Sequence, residues 1–348
     1  MPTYPQTDQL QKILAAASRV VILQADNPDA DSLGSALALE HVLGDMGKEP
    51  VLYCGVDIPM YLRYLPGWDR VVKDIPGSFD ASIVVDASTT TLFEKLSQSG
   101  QQPWVATRPC IVLDHHQTTS KPLPFASVTI NDGACSSTGE LIFRIATQLH
   151  WLLNVEAQTS LMTAILGDTQ GLTNQLTSAS TYRALADMVD AGVNRPALEE
   201  LRREQTKMPP EIFKYKATLI GRTQFLADGR IAIVDIPQAE INEFSPLYNP
   251  GPLIQGDTLQ TAGVQVSIVL KHYDDGKITG AIRCNNGHAI ADKLAEALGG
   301  GGHAYASGFK IQDGRPFNEV KSECIRIATD LLNNLEQGQP HETVQHTD

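Results

Sequence analysis

The sequence predicts an α/β protein in two parts: an N-terminal doubly wound parallel sheet, then a smaller α/β domain, joined by a helical linker. Three observations carry this. Short apolar runs alternate with helix-period segments, the pattern of buried parallel strands covered by helices on both faces. The alternation breaks in a polar, proline-bounded stretch near residues 193–210 and then restarts. And 348 residues are more than one compact core supports.

Taken in order, residues 8–18 place Leu10, Ile13, Leu14 and Ala17 on one helical face, and RVVILQ (19–24) reads as the first strand. Residues 33–46 repeat Leu37, Val42, Leu43 and Met46 at helical spacing, and Gly47 ends that helix. PVLYC (50–54), SIVVD (82–86) and CIVLD (110–114) are the next strands, with helices expected at about 137–151, 156–168 and 179–191. After VNRPALEELRREQTKMPP come strands at RIAIVDI (230–236), VQVSIVL (264–270), ITGAIRC (278–284) and SGFKI (307–311). Helices are expected there at about 288–297 and 317–336. The division is therefore 1–192, a linker at 193–222, a second domain at 223–336, and a tail at 337–348 without an apolar face.

Composition narrows the function. The chain is 42% hydrophobic and 19% charged, as ordinary globular proteins are. A formal net charge of −13 argues against sequence-independent binding of long duplex DNA and against an anionic membrane surface. No apolar run reaches the roughly 18 residues of a membrane span. The opening MPTYPQTDQL has no basic region followed by an apolar one, so no signal peptide is expected. Cys54, Cys110, Cys135, Cys284 and Cys324 form no CxxC pair, which fits reduced thiols in a cytoplasm.

The informative residues are acids. Asp29 and Asp31 follow the first strand, and Asp86 and Asp114 end two others. In a doubly wound sheet the strand C-termini share one edge, where ligands bind. Asp114 is followed by His115 and His116, and Asp168 ends an apolar helical segment. A single aspartate after a strand is more often a helix cap. Several at one edge repel each other unless cations sit between them. Oxygen ligands with imidazole suit Mn²⁺ or Mg²⁺, with Fe²⁺ or Co²⁺ also compatible, and a shared carboxylate would hold two ions roughly 3.5–4 Å apart. In the second domain the run Gly299–Gly302 permits close approach of a phosphate, beside Arg283 and His303 as donors. Ser137 and Thr138 read as the cap of the following helix.

These motifs resemble, in order, those of the DHH phosphoesterases. Asn27-Pro28-Asp29-Ala30-Asp31-Ser32, then Asp86, then Asp114-His115-His116, then Gly167-Asp168-Thr169 match the catalytic motifs. Arg283 and Gly299-Gly300-Gly301-Gly302-His303-Ala304 resemble the DHH-associated C-terminal domain. Length and layout are most similar to the nanoRNase/pAp-phosphatase group and its stand-alone cyclic-dinucleotide phosphodiesterase relatives. The resemblance implies a metal-dependent phosphoesterase with two divalent ions, Mn²⁺ first, Mg²⁺ or Co²⁺ as alternatives. It implies Asp29 and Asp86 on the first ion, Asp31, Asp86, His115 and Asp168 on the second, with Asp86 bridging. Asp114 would orient His115, and His116 would face the substrate phosphate. Arg283, Gly300, Gly301, Gly302 and His303 would bind the substrate, a short oligonucleotide or nucleotide, in a cleft between the domains. A homodimer is compatible with it. One position departs: the family's first motif opens with His where this chain has Ala25, which removes an imidazole from the first metal site. Gln24, Asp26 or a water is left to replace it. Two other readings stand beside this one: a cyclic or linear dinucleotide phosphodiesterase, and a nucleotide-binding protein whose catalysis is impaired by Ala25.

Overall fold

The structure, a computed structural model, describes residues 3–116, 123–205, 207–245 and 249–338. The chain divides into two compact units, Met1–Lys207 and Met208–Asp348.

The first unit runs α1 (Thr7–Ala16), β1 (Arg19–Gln24), α2 (Ala30–Asp45), β2 (Glu49–Cys54), β3 (Ala81–Val85), α3 (Glu94–Gln98), α4 (Gln102–Ala106), β4 (Cys110–Asp114), β5 (Val128–Asn131), α5 (Thr138–Gln148), α6 (Val155–Asp168), α7 (Ala179–Asp190) and α8 (Arg195–Gln205). Its sheet is wholly parallel, in the order β2-β1-β3-β4-β5. Alternate strand residues serve opposite faces. Ile22, Ile83 and Ile111 pack with Leu37, Ile142 and Leu161 of α2, α5 and α6. Leu23, Val84 and Val112 pack with Phe93, Leu96 and Val105 around α3 and α4. Burial on both faces explains why β3 and β4 read as uninterrupted apolar runs.

Helix α2 starts three residues before its apolar repeat, because Asp29 caps it. The Asp29 carboxylate accepts from the Ser32 amide at 2.9 Å, and the Ser32 hydroxyl accepts from the Asp29 amide at 2.9 Å. Two glycines bring α2 and α6 together. A Cβ on Gly34 would lie 2.6 Å from the Ser160 carbonyl, and one on Gly167 would lie 2.5 Å from Ala30 Cβ. The start of α2 and the end of α6 therefore meet.

The second unit runs α9 (Pro210–Arg222), β6 (Gln224–Leu226), β7 (Ile231–Pro237), α10 (Gln238–Phe244), α11 (Pro250–Leu259), β8 (Val266–His272), β9 (Ile278–Cys284), α12 (Ala291–Ala297), β10 (Gly301–His303), β11 (Ala306–Ile311) and α13 (Phe317–Gly338). Its sheet has the order β10-β11-β9-β8-β7-β6, with only β7 and β8 parallel. The stretch expected as a linker forms α8 and α9. Ile212, Tyr215 and Leu219 of α9 are buried against Val234 and Ile254. Residues 339–348, most of the expected tail, lie outside the described residues. Among the described residues no helix is long and apolar enough to cross a membrane.

Candidate metal centre

In a 2-1-3-4-5 sheet the strand order reverses between the first and third strands, and the crevice opens there. Asp29 follows β1 and Asp86 follows β3, so both border that point. Asp114, His115 and His116 leave the end of β4 next door, Asp31 comes from the first turn of α2, and Asp168 from the last of α6.

His115 is the hub. Its Nε2 lies 2.9 Å from Asp168 Oδ2, 3.7 Å from Asp86 Oδ1 and 3.8 Å from Asp31 Oδ2. Its Nδ1 lies 3.3 Å from the Cys135 carbonyl, which can only accept, so Nδ1 carries a proton and Nε2 is the nitrogen turned to the carboxylates. Asp86 has φ 58°, in the left-handed region that, apart from glycine, asparagine and aspartate enter most readily. Asp31 is fully buried, and its carboxylate accepts from the Thr138 and Gly139 amides at 2.7 and 2.9 Å. These are unpaired donors of the α5 N-terminus. The Thr138 hydroxyl donates to Asp86 Oδ1 at 3.1 Å. Ser137 caps α5 as expected, accepting from the Glu140 amide at 3.0 Å. Thr138, read from the sequence as part of that cap, instead joins two of the acids.

One expected contact is different. Asp114 pairs with His116, not His115: its Oδ1 lies 2.7 Å from His116 Nδ1 and accepts from the His116 amide at 3.2 Å. The carboxylate closes a local turn onto the residue two further on, and the Cys135 carbonyl takes the orienting role for His115. Asp29 is half-buried and caps α2; among the described residues, candidate ligand atoms lie within 4.8 Å of one another in the groups Asp86–His115–His116 and Asp31–His115–Asp168.

The electrostatics describe a cluster short of positive charge. Burial pushes the Asp86 carboxyl well above its usual value, and Asp31, Asp29 and Asp168 add to it. Burial and then Asp168 push Asp31 up to about 6. Burial raises Asp29 as well. For His115 burial works downward, but the Asp168 hydrogen bond and the charge of Asp31 outweigh it and raise the imidazole to about 9. The Asp114 hydrogen bond raises His116. Burial opposes ionisation of Asp114, but its hydrogen bonds to His116 and Ser88 hold it below its usual value. His115 Nε2 is buried and meets carboxylate oxygens, the nearest being Asp168 Oδ2 at 2.9 Å. Buried carboxylates drawn together around one imidazole, with burial and mutual repulsion opposing their ionisation, are the donor set that a divalent cation satisfies, so the residues present fit such a metal.

Ala25 is only 4% exposed and sits among Leu23, Val84 and Phe93. Asp26 Oδ2 accepts from the Lys95 amide at 2.8 Å, which turns it toward α3. Gln24 is fully buried with both amide atoms of its side chain unpartnered.

In the second unit Arg283 is exposed on β9 and stands in register with Ala306, which is in register with His303 of β10. A Cβ on Gly300 would come 2.2 Å from the Gly308 carbonyl, and one on Gly302 would come 2.6 Å from Ser307 Oγ. The β10–β11 hairpin itself therefore demands those two glycines, whereas Gly301 faces open space. The His303 side chain lies outside the described residues.

A parallel sheet with buried aspartates and a buried histidine at its switch point defines a class, and the family comparison agrees. Residues 19–167 match the DHH family, N-terminal domain, and residues 253–334 match the DHHA1 domain. The chain belongs to the DHH family of phosphoesterases. Within it, the chain is 27% identical to the bifunctional oligoribonuclease and PAP phosphatase NrnA of Thermus thermophilus, over 82% of each protein. It is 24% identical to the cyclic-di-AMP phosphodiesterase GdpP of Geobacillus thermodenitrificans, over 87% of this chain and 46% of that one. The crystal structure of an exopolyphosphatase-related protein from Bacteroides fragilis shares its fold, with a TM-score of 0.79 at 21% identity, over 94% of this chain and 97% of that one.

Proposed function

We propose that this chain hydrolyses phosphate esters of short oligonucleotides and nucleotides, pAp among them, in a cytoplasm and with manganese as its metal. The observation that carries the proposal is the position of His115 Nε2, within 3.8 Å of carboxylates from three separate elements. Asp29 and Asp86 would hold one ion, and Asp31, Asp86, His115 and Asp168 the other, with Asp86 shared. When bound, the metal pair supplies the charge that activates a water and offsets the phosphoryl oxygens. The chain does the rest. Thr138 and the α5 amides aim Asp86 and Asp31. Asp114 orients His116 and raises its imidazole, which favours the form that can donate to a phosphoryl oxygen. The first unit is the catalytic part. In the second, Arg283, Gly300, Gly301, Gly302 and His303 would engage the nucleotide, Gly301 being the one of the three glycines that faces open space.

Similarity to GdpP favours a second reading, a phosphodiesterase of linear or cyclic dinucleotides. The experiment is a substrate panel of pAp, short RNA, pApA and cyclic di-AMP with manganese, on the wild type and Asp86→Asn. Turnover of at least one substrate is expected, falling at least about 100-fold in the variant. Near-wild-type turnover by Asp86→Asn overturns the site. Tight nucleotide binding without turnover under any metal would instead mark a binding protein disabled at Ala25.

A further inference from the structure

A cavity of about 420 Å³ opens in the first unit where the start of α2 meets the end of α6. Ala30 and Gly167, the chain neighbours of Asp29, Asp31 and Asp168, form part of its wall. Tyr61 and Tyr64, in and just after the 3₁₀ turn Met60–Leu62, form another part, and Arg195, Glu199 and Arg202 of α8 a third. Its volume lies in the range of small-molecule sites, which also combine apolar and aromatic lining with a few placed polar groups.

We propose that this cavity is the subsite for the nucleobase attached next to the phosphate that is cleaved. The proposal rests on the phosphoesterase reading and extends it to the substrate's base. Tyrosine rings and guanidinium planes stack on the faces of any base, and a carboxylate accepts from exocyclic amines. The site is built in advance. Glu199 holds Arg195 at 3.3 Å and Arg202 at 2.7 Å. Gln205 Nε2 donates to the Met60 carbonyl at 3.3 Å, tying α8 to the tyrosine turn. Gln170 and Gly171, which also line the cavity, have φ 51° and 72°, and Leu172 follows at 73°. A run of left-handed residues is strain that persists where function fixes the loop. Tyr61 is 53% exposed, free to meet a ligand. Because both guanidiniums already share a carboxylate, a planar base suits the cavity better than a bare phosphate does.

The test compares a ribodinucleotide with analogues lacking the base on one side or the other. Wild-type protein is expected to prefer the complete dinucleotide by about 10-fold or more in kcat/KM, from the worth of one stacked base. In Tyr61→Ala that preference shrinks about 10-fold, through KM, and in Tyr61→Phe it is kept. A preference unchanged by Tyr61→Ala, or absent from the wild type, overturns the proposal. Should the protein hydrolyse no phosphate ester, the proposed function fails by itself. The cavity is then judged by calorimetric binding of AMP to the full chain. A Kd about 10-fold weaker in Tyr61→Ala supports it, whereas equal affinities, or no binding, overturn it.

Discussion

At the scale of single residues, position was easier to read than partnership. Asp29, Asp86 and Asp114 were legible because each follows an apolar run whose end is plain. Which histidine Asp114 would hold was not, because that depends on a turn beyond β4 and on the Cys135 carbonyl arriving from a distant segment. Thr138 was hidden for a similar reason. A threonine beside a serine cap carries no mark of a hydroxyl that donates to Asp86. Thr138→Val should raise the manganese concentration for half-maximal activity about 10-fold, with Thr138→Ser restoring it, since outer partners of metal ligands are typically worth 10–100-fold. A metal titration of activity measures this. Ala25 calls for a different expectation. Its Cβ lies in a filled apolar cluster, so Ala25→His should destabilise the metal-free protein by about 1–3 kcal/mol through overpacking. Urea melts in EDTA check it, and a variant as stable as its parent would show that the imidazole has a place to go.

At the scale of elements, α5 links packing to chemistry. Its start donates to Asp31, and its first turn carries Glu140, fully buried, accepting from the Ser136 amide and hydroxyl at 3.0 and 2.6 Å and from Arg144 at 2.5 Å. Glu140→Ala leaves the Ser136 donors without their acceptor and Arg144 with only the longer contact to Asp132 at 3.4 Å as its carboxylate partner, and should cost about 3–5 kcal/mol in urea unfolding. The pH dependence follows in sign. Burial works upward on Glu140, but the Ser136 and Arg144 bonds outweigh it and hold the carboxyl below its usual value of 4.5. A depressed carboxylate stabilises above that value and loses the contribution as pH falls through its folded pKa. Stability below about pH 4.5 should therefore fall less steeply in Glu140→Gln than in the wild type. The elements that escaped the sequence were those with weak periodicity. β6 and β10 have three residues each, β5 has four, and α11 (PGPLIQGDTL) carries the prolines and glycines of a loop. Its helix is made by Asn249 capping it and by burial of Leu253 and Ile254.

At the scale of the whole molecule, the two units have separate apolar cores, and the chain passes from one to the other at Lys207–Met208, inside the proline-bounded break. The break was legible from polarity and prolines. That both flanking helices would pack, α8 through Leu198 and α9 through Ile212 and Leu219, was not, because each shows only a narrow apolar stripe. Manganese should stabilise the first unit selectively. At a free concentration of 100 Kd, one site adds about 2.7 kcal/mol. Calorimetry with manganese and with EDTA should show that unit's transition shifting upward while the second stays in place. A common shift of both transitions would contradict it.

The twisted backbone at Asp86 restricts which replacements the protein can sample. Aspartate and asparagine accept that conformation readily, whereas branched side chains resist it. Mutational drift at this position is therefore filtered twice, once by chain geometry and once by charge, and asparagine passes only the first filter. It removes the negative charge while leaving the loop its shape, which makes it a sharp probe of the ligand role proposed for Asp86.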